Sequence, residues 1–410
     1  MIKNLRDPTS EYFRTIKLFK SDVKLYLANI FLTHIGYGIF YVLFNLYILQ
    51  IGYDLDFIGY LTSIGNFGTA LMAIPAGLII HRFGLKRPLV ISSLLILLFS
   101  ILLVSTTSNI LLIIFNLALG FVISLSMVVR SPLLTKSSSK IERTHLFGFS
   151  FGLMMISSVV GSVLGGYLPN LIKYCTNFTD EATIFRISLI LGGIISSLGL
   201  IPTLKISKDK ITTFNKLGRR ILKIKYPKLY AKLLTPHLLL GLGAGTVMPF
   251  LNVFFKKHLN ASTSQIGIIF ALGSLTTGIA SFLIPFVTKR FGKVMGVCIL
   301  EISSLPFLLM IALIPNITLV AIFYVIRQAL MNMASPIYSN FVMETVPSEE
   351  RSITSGFSSF IWSMGWAISS FYSGIIMKNY GYNIPFFICF VFYLLSVVTF
   401  ISFFRKSEKK

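Results

Sequence analysis

Runs of about twenty apolar residues alternate along the chain with short polar stretches. A helix needs about 20 such residues to cross the hydrocarbon core of a bilayer. Twelve runs reach that length, near 25–49, 58–80, 88–106, 110–133, 147–170, 184–204, 237–255, 265–287, 293–314, 318–341, 353–377 and 384–404. Each predicts a spanning helix, so the expected fold class is an all-α integral membrane protein. The eleventh run (SGFSSFIWSMGWAISSFYSG) is the least apolar, and its serines and glycines suit a helix that faces other helices rather than lipid.

The polar stretches divide the chain into a segment 1–24, a first bundle 25–204, a basic linker 205–236, a second bundle 237–404 and a tail 405–410. They also carry the cations. With the N-terminus and alternate loops on one side, thirty of the 37 Lys and Arg fall there. Four (Lys173, Lys256, Lys257, Lys378) fall on the other side, and Arg130, Arg186 and Arg327 lie within spans. The positive-inside bias then predicts a multi-pass protein of the cell membrane with both termini cytoplasmic. Met1 to Lys24 holds six Lys/Arg ahead of any apolar run, which predicts an uncleaved insertion signal rather than a signal peptide.

Composition agrees with the bilayer as solvent. Hydrophobic residues make up 54% and charged residues 12%, against about 25% charged in a soluble domain, and mean hydropathy is +0.80. The net charge of +23 sits in clusters between apolar runs. That arrangement points to an anionic leaflet and away from nucleic acid. Cys175, Cys298 and Cys389 build neither a disulfide framework nor a metal spacing, and no phosphate-binding GxxxxGK[ST] or HExxH motif occurs. No cofactor and no enzymatic activity are expected.

The two halves repeat one another. Arg82-Phe83-Gly84 returns as Arg290-Phe291-Gly292, 208 residues on. At the same offset Ile58-Gly59 matches Ile266-Gly267, Gly65 matches Gly273, Glu142-Arg143 matches Glu350-Arg351 and Gly148-Phe149-Ser150 matches Gly356-Phe357-Ser358. With small shifts, Gly36 and Gly38 align with Gly243 and Gly245, Asn45 with Asn252, and Ser131-Pro132 with Ser335-Pro336. Two six-helix halves in the same orientation follow, the arrangement in which two bundles rock about a site between them.

With these motifs in view, the chain resembles the major facilitator superfamily over nearly its whole length. The family writes Gly-x-x-x-Asp-Arg-x-Gly and a basic tail after its second span. Here Gly77, His81, Arg82, Gly84, Lys86 and Arg87 stand in that place, with His81 where the family has Asp. In the second half Lys289, Arg290 and Gly292 take the corresponding positions and Pro285 replaces the first glycine. The resemblance implies a gating latch between the halves. Chemically, the same residues end a helix at its negative pole and carry a glycine cap, and a histidine there titrates near neutral pH. Gly161, Gly165 and Gly166 resemble the family's exporter pattern on the fifth span, with Ser162 in place of proline; as small residues they also suit close helix packing.

Ionisable groups inside spans need an account. By resemblance, spans 1, 4, 7 and 10 line the central cavity. Arg327 on span 10 is a candidate contact for an anionic substrate group, with Glu301 as its alternative partner. His34, Asn45, Asn116 and Asn252 are further substrate-binding candidates, with Asn116 where the family's span-4 arginine falls. Trp362 and Trp366 sit one turn apart on span 11, and Arg130 can snorkel to the inner interface. No Asp or Glu lies within spans 1 to 6, which disfavours a cationic substrate. The expectation is a monomeric secondary active transporter of a small organic solute, with a proton as candidate coupling ion and export favoured over import. A non-transporting membrane sensor or assembly partner on the same fold is the alternative.

Overall fold

The computed structural model describes residues 19–136, 140–207, 226–347 and 350–405, without the side chains of His81, 140–145 and Ser352. Most of the segment 1–24, the middle of the basic linker and residues 406–410 therefore lie outside the described residues, as does the His81 side chain.

Among the described residues twelve helices are long and apolar enough to cross a membrane, and none forms a strand. They are α1 (Ser21–Gln50), α2 (Leu55–Phe83), α3 (Lys86–Ser105), α4 (Asn109–Lys136), α5 (Lys140–Cys175), α6 (Glu181–Ser197), α7 (Pro227–Val247), α8 (Thr263–Ala280), α9 (Lys293–Leu313), α10 (Ile317–Thr345), α11 (Arg351–Tyr380) and α12 (Asn383–Phe404). A turn extends α6 into Leu200–Lys205, and a 3₁₀ turn extends α8 into Ile284–Phe291. Successive helices run up and down, so both termini and the linker share one end of the molecule, called the terminal end. The other is the distal end.

Local chemistry sets several helix starts. Asp180 and Asn316 accept backbone N–H bonds at the heads of α6 and α10, and Ser262 with Gln265 forms a capping box on α8. The repeated Arg-Phe-Gly turns share one geometry. Gly84 and Gly292 have φ of 78° and 77°, and each ends its helix by donating to the carbonyl four residues back. The arginine before each glycine lies over the adjacent phenylalanine ring, 5.4 Å from its centre. Proline at its first position starts α7 at Pro227, so its first turns use residues that hydropathy alone assigns to the linker. Those turns are amphipathic: Tyr230 and Leu233 are buried while Lys228 and Lys232 are exposed.

Glycine lets helices approach closely within the first half. A Cβ on Gly38 would fall 2.8 Å from the Gly161 Cα, and one on Gly165 would fall 3.0 Å from the Ile39 Cα. Thus α1 and α5 touch backbone to backbone. The last turns of α7 depart from α geometry through a 3₁₀ turn (Met248–Phe250) and a π turn (Phe254–His258), which frees carbonyls for partners on other helices.

Candidate functional site

The two halves close on each other at the distal end through two seams that repeat the 208-residue offset. In one, α2 crosses α11. A Cβ on Gly59 would lie 2.6 Å from the Ser370 carbonyl oxygen, and one on Gly374 would lie 2.5 Å from the Leu55 oxygen. In the other, α8 crosses α5, with Gly267 against the Ser162 oxygen at 2.5 Å and Gly166 against the Thr263 oxygen at 2.9 Å. Gly59 and Gly267, Gly166 and Gly374, Ser162 and Ser370, and Leu55 and Thr263 are all 208 positions apart. One turn outward the equivalence continues in different chemistry. Lys378 bridges Asp54 at 2.8 Å and Asp56 at 2.9 Å, while Asn170, 208 positions before Lys378, donates to Ser264 at 3.0 Å.

Between the seams, Asn45 and Asn252 meet. Asn45 Nδ2 donates to the Pro249 carbonyl at 2.6 Å and faces Asn252 Oδ1 at 3.3 Å. Asn252 Nδ2 donates to the Val42 carbonyl at 3.0 Å and lies 3.2 Å from that of Tyr41. Tyr41 adds a bond from its hydroxyl to the Met248 carbonyl at 3.2 Å. Both asparagines are buried and spend their donors on the opposite half. A double-mutant cycle of Asn45→Ala and Asn252→Ala should show coupling of about 1–2 kcal/mol, read as non-additive losses in thermal stability of the purified protein. Additive losses would show that the two amides act separately.

Towards the terminal end the same helices stand apart. A Cβ on Gly77 of α2, on Gly148 or Gly152 of α5, or on Gly356 of α11 would meet nothing within 4 Å. Arg82, Arg87, Lys289 and Arg290 are exposed and have no ion pair among the described residues. Lys86 holds its own half together, donating to the carbonyls of Leu204 at 2.7 Å and Ile206 at 2.5 Å. Lys293 does the same in the other half, bonded to Asn340 and Glu344 on α10. The structure is therefore closed at the distal end and parted at the terminal end.

Three arginines lie within spans, and their surroundings differ. Arg130 reaches Ser150, near the terminal end, at 3.3 Å. Arg186 donates to the Tyr47 hydroxyl at 3.3 Å and lies over its ring. Arg327, ten residues into α10 and so about 15 Å down that helix, is 1% exposed. Its Nη2 donates to the Tyr393 hydroxyl at 3.1 Å and its Nη1 approaches the Met248 sulfur at 3.3 Å, while Nε has no partner. Tyr41 and Tyr324 complete a tyrosine-rich surround within Coulombic reach of the guanidinium. Among the described residues no carboxylate pairs with it. Glu301 instead faces Tyr338 and His237 in a separate cluster. A guanidinium held away from water without an anion is costly, and its planar donors match a carboxylate or phosphate.

The remaining candidates have local partners. His34 Nδ1 lies 2.9 Å from the Ile30 carbonyl, and its ring packs edge-on against Tyr37. His34, Tyr37, Tyr41 and Asn45 recur at helical spacing on one face of α1. Asn116 donates to the Leu61 carbonyl of α2 at 2.5 Å. Gly161 and Gly165 pack against α1, and Gly166 forms one of the distal crossings. Trp362 packs against Gly241 and His237, and Trp366 against Gly245, so both tryptophans fill the α7–α11 contact. Reasoning from sequence missed Gly374, Lys378 and Tyr393. The first two were within reach of the repeat, because they follow Gly166 and Asn170 by 208 positions.

The sequence model described as Major Facilitator Superfamily matches residues 26–240 and 233–410. No curated protein matches the sequence significantly. Among solved structures, a point mutant of the nucleoside transporter NupG is 16% identical with a TM-score of 0.74, covering 94% of this chain and 99% of its own. The unsubstituted NupG structure is 17% identical with a TM-score of 0.72, covering 95% and 100%. A bacterial homologue of the human lysosomal transporter Spinster, inward-facing and occupied, is 15% identical with a TM-score of 0.68, covering 98% of each chain. At these identities the likeness is one of fold.

Proposed function

Because the chain belongs to the Major Facilitator Superfamily and is a multi-pass membrane protein, we propose that it is a secondary active transporter of a small organic anion, working by alternating access. One observation carries this: pseudo-equivalent residues clasp the halves at the distal end while the same helices part at the terminal end. A molecule built that way exchanges which end is open when the halves rock. Arg327 supports an anionic substrate, since it is a deep cation whose surround supplies aromatic hydroxyls and no counter-charge. The Lys and Arg bias supports cytoplasmic termini in the cell membrane, which makes the present conformation inward-open. One chain supplies both halves of the site, which supports a monomer as the acting unit. Export is proposed over import on the α5 glycine pattern alone, and a proton is the proposed coupling ion.

Transport tests this directly. The purified protein is screened by thermal shift against metabolites including benzoate, succinate, glucose 6-phosphate and uridine. Each stabilising solute is then followed in proteoliposomes under outward and inward pH gradients. Accumulation of an anion against its gradient, reversing when the pH gradient is reversed, is the expected result. If no solute moves under either gradient, the transport proposal fails.

A further inference from the structure

A second buried polar cluster lies in the C-terminal half, apart from Arg327. Glu301 on α9 is 4% exposed, and no cation pairs with it among the described residues. It shares a small cavity with Pro236, His237, Tyr338, Ser396 and Phe400, drawn from α7, α10 and α12. The titratable groups facing it are His237 from α7 and Tyr338 from α10; α12 contributes Ser396 and Phe400, and no lysine, arginine or second carboxyl lines the cavity. The His237 ring stacks on that of Tyr338, with centres 5.0 Å apart and planes 7° apart, and its Nδ1 is buried without a partner. A carboxyl and an imidazole thus line one small cavity, the imidazole with a ring nitrogen that has no partner. Packing alone does not require either group, and an ionisable pair inside a span marks a proton path or ligand site.

We propose that Glu301 and His237 form a proton-binding site, with Tyr338 relaying its occupancy to α7. The chemistry is a reversible protonation: a proton from water enters the cluster, is held on the carboxylate or the imidazole, and leaves by the same groups. The relay lies in the hydrogen bonds already present. The Tyr338 hydroxyl donates to the Leu233 carbonyl at 2.5 Å, and Ser396 donates to the Pro236 carbonyl at 2.9 Å. Both acceptors lie in the turn of α7 that Pro236, lacking an N–H, leaves loosely bonded. An ionised Glu301 competes for the Tyr338 hydroxyl and a protonated one does not, so the turn is held differently in the two forms. Because α7 also carries Met248 and Asn252, the cluster is placed to link proton binding to both Arg327 and the distal clasp. Its purpose as a coupling site rests on the proposed transport, but its chemistry does not.

Trp362 provides a local reporter, since its ring lies 5.2 Å from that of His237, and a protonated imidazole quenches a neighbouring indole. In purified full-length protein carrying Trp366→Phe, emission of Trp362 is titrated from about pH 5 to about pH 9, the range around the histidine transition. A single transition is expected. Glu301→Gln should move its midpoint by about one pH unit, and His237→Gln should abolish it. Tyr338→Phe, which keeps the stacked ring, should retain the transition and serve as a folding control. A flat titration in the unsubstituted cluster, or an unchanged midpoint in Glu301→Gln, would overturn the proposal. No substrate is needed, so this outcome is independent of whether transport is found.

Discussion

Gly374→Leu is expected to reduce transport about 100-fold while leaving the protein folded. Its Cβ would fall 2.5 Å from the Leu55 carbonyl oxygen and 3.0 Å from the Gly59 Cα. Both obstacles are backbone, so a rotamer change cannot relieve the clash. Overpacking of this kind costs about 1–3 kcal/mol, and the upper figure corresponds to about a hundredfold change in an equilibrium. The cost applies only where α2 and α11 are in contact, so it falls on the distally closed state. Gly267→Leu makes an independent check, because that glycine meets the Ser162 oxygen and the Gly166 Cα in the equivalent seam. Equal losses in the two variants, with unchanged gel-filtration behaviour, are expected from proteoliposome assays. A fully active Gly374→Leu would show that the crossing is not used in the cycle.

The second large effect is at Arg327. Arg327→Ala should weaken binding of an anionic solute by about 30-fold or more, since removing one partner of a buried charged hydrogen-bonded pair costs about 2–5 kcal/mol. Arg327→Lys should recover only part of this, because an ammonium lacks the planar fork. The apo protein is expected to respond in the opposite sense. Removing a buried cation that has no counter-charge relieves a desolvation cost, so Arg327→Ala should match or exceed the parent in thermal stability without solute. Lower apo stability, with anion binding unaltered, would assign Arg327 a structural role through Tyr393 and Met248.

Most of the architecture was legible because its signals are long. A twenty-residue apolar run can be read without knowing its neighbours, and the Arg-Phe-Gly turns announced two equivalent helix ends that the structure shows with nearly equal φ. The repeat also holds partners beyond its most visible matches. Gly59 and Gly267 were visible as a pair, but what each touches depends on Gly374 and Gly166, and partners across a seam leave no local mark. Asn45 and Asn252 illustrate the limit differently. Their equivalence was readable, but polar residues on cavity-lining spans can face a solute or the opposite half, and only the irregular end of α7 decides that they take carbonyls there. For Arg327 the sequence left a substrate anion and Glu301 open as partners, and helix placement sets Glu301 in a cavity with Tyr338 and His237, apart from Arg327.

The central claim is that the two halves rock as units, opening one end as the other closes. Spin-label distances in proteoliposomes test it most directly, with one pair at Ser108→Cys and Pro315→Cys across the distal end and another at Ser131→Cys and Ser335→Cys toward the terminal end. With the exposed Cys175 replaced by serine and the glycines unsubstituted, both pairs should show two populations. Adding Gly374→Leu should move them in opposite directions, lengthening the distal distance and shortening the terminal one. If the glycine substitution leaves both distributions unchanged, or lengthens both together, the halves do not alternate about a shared site.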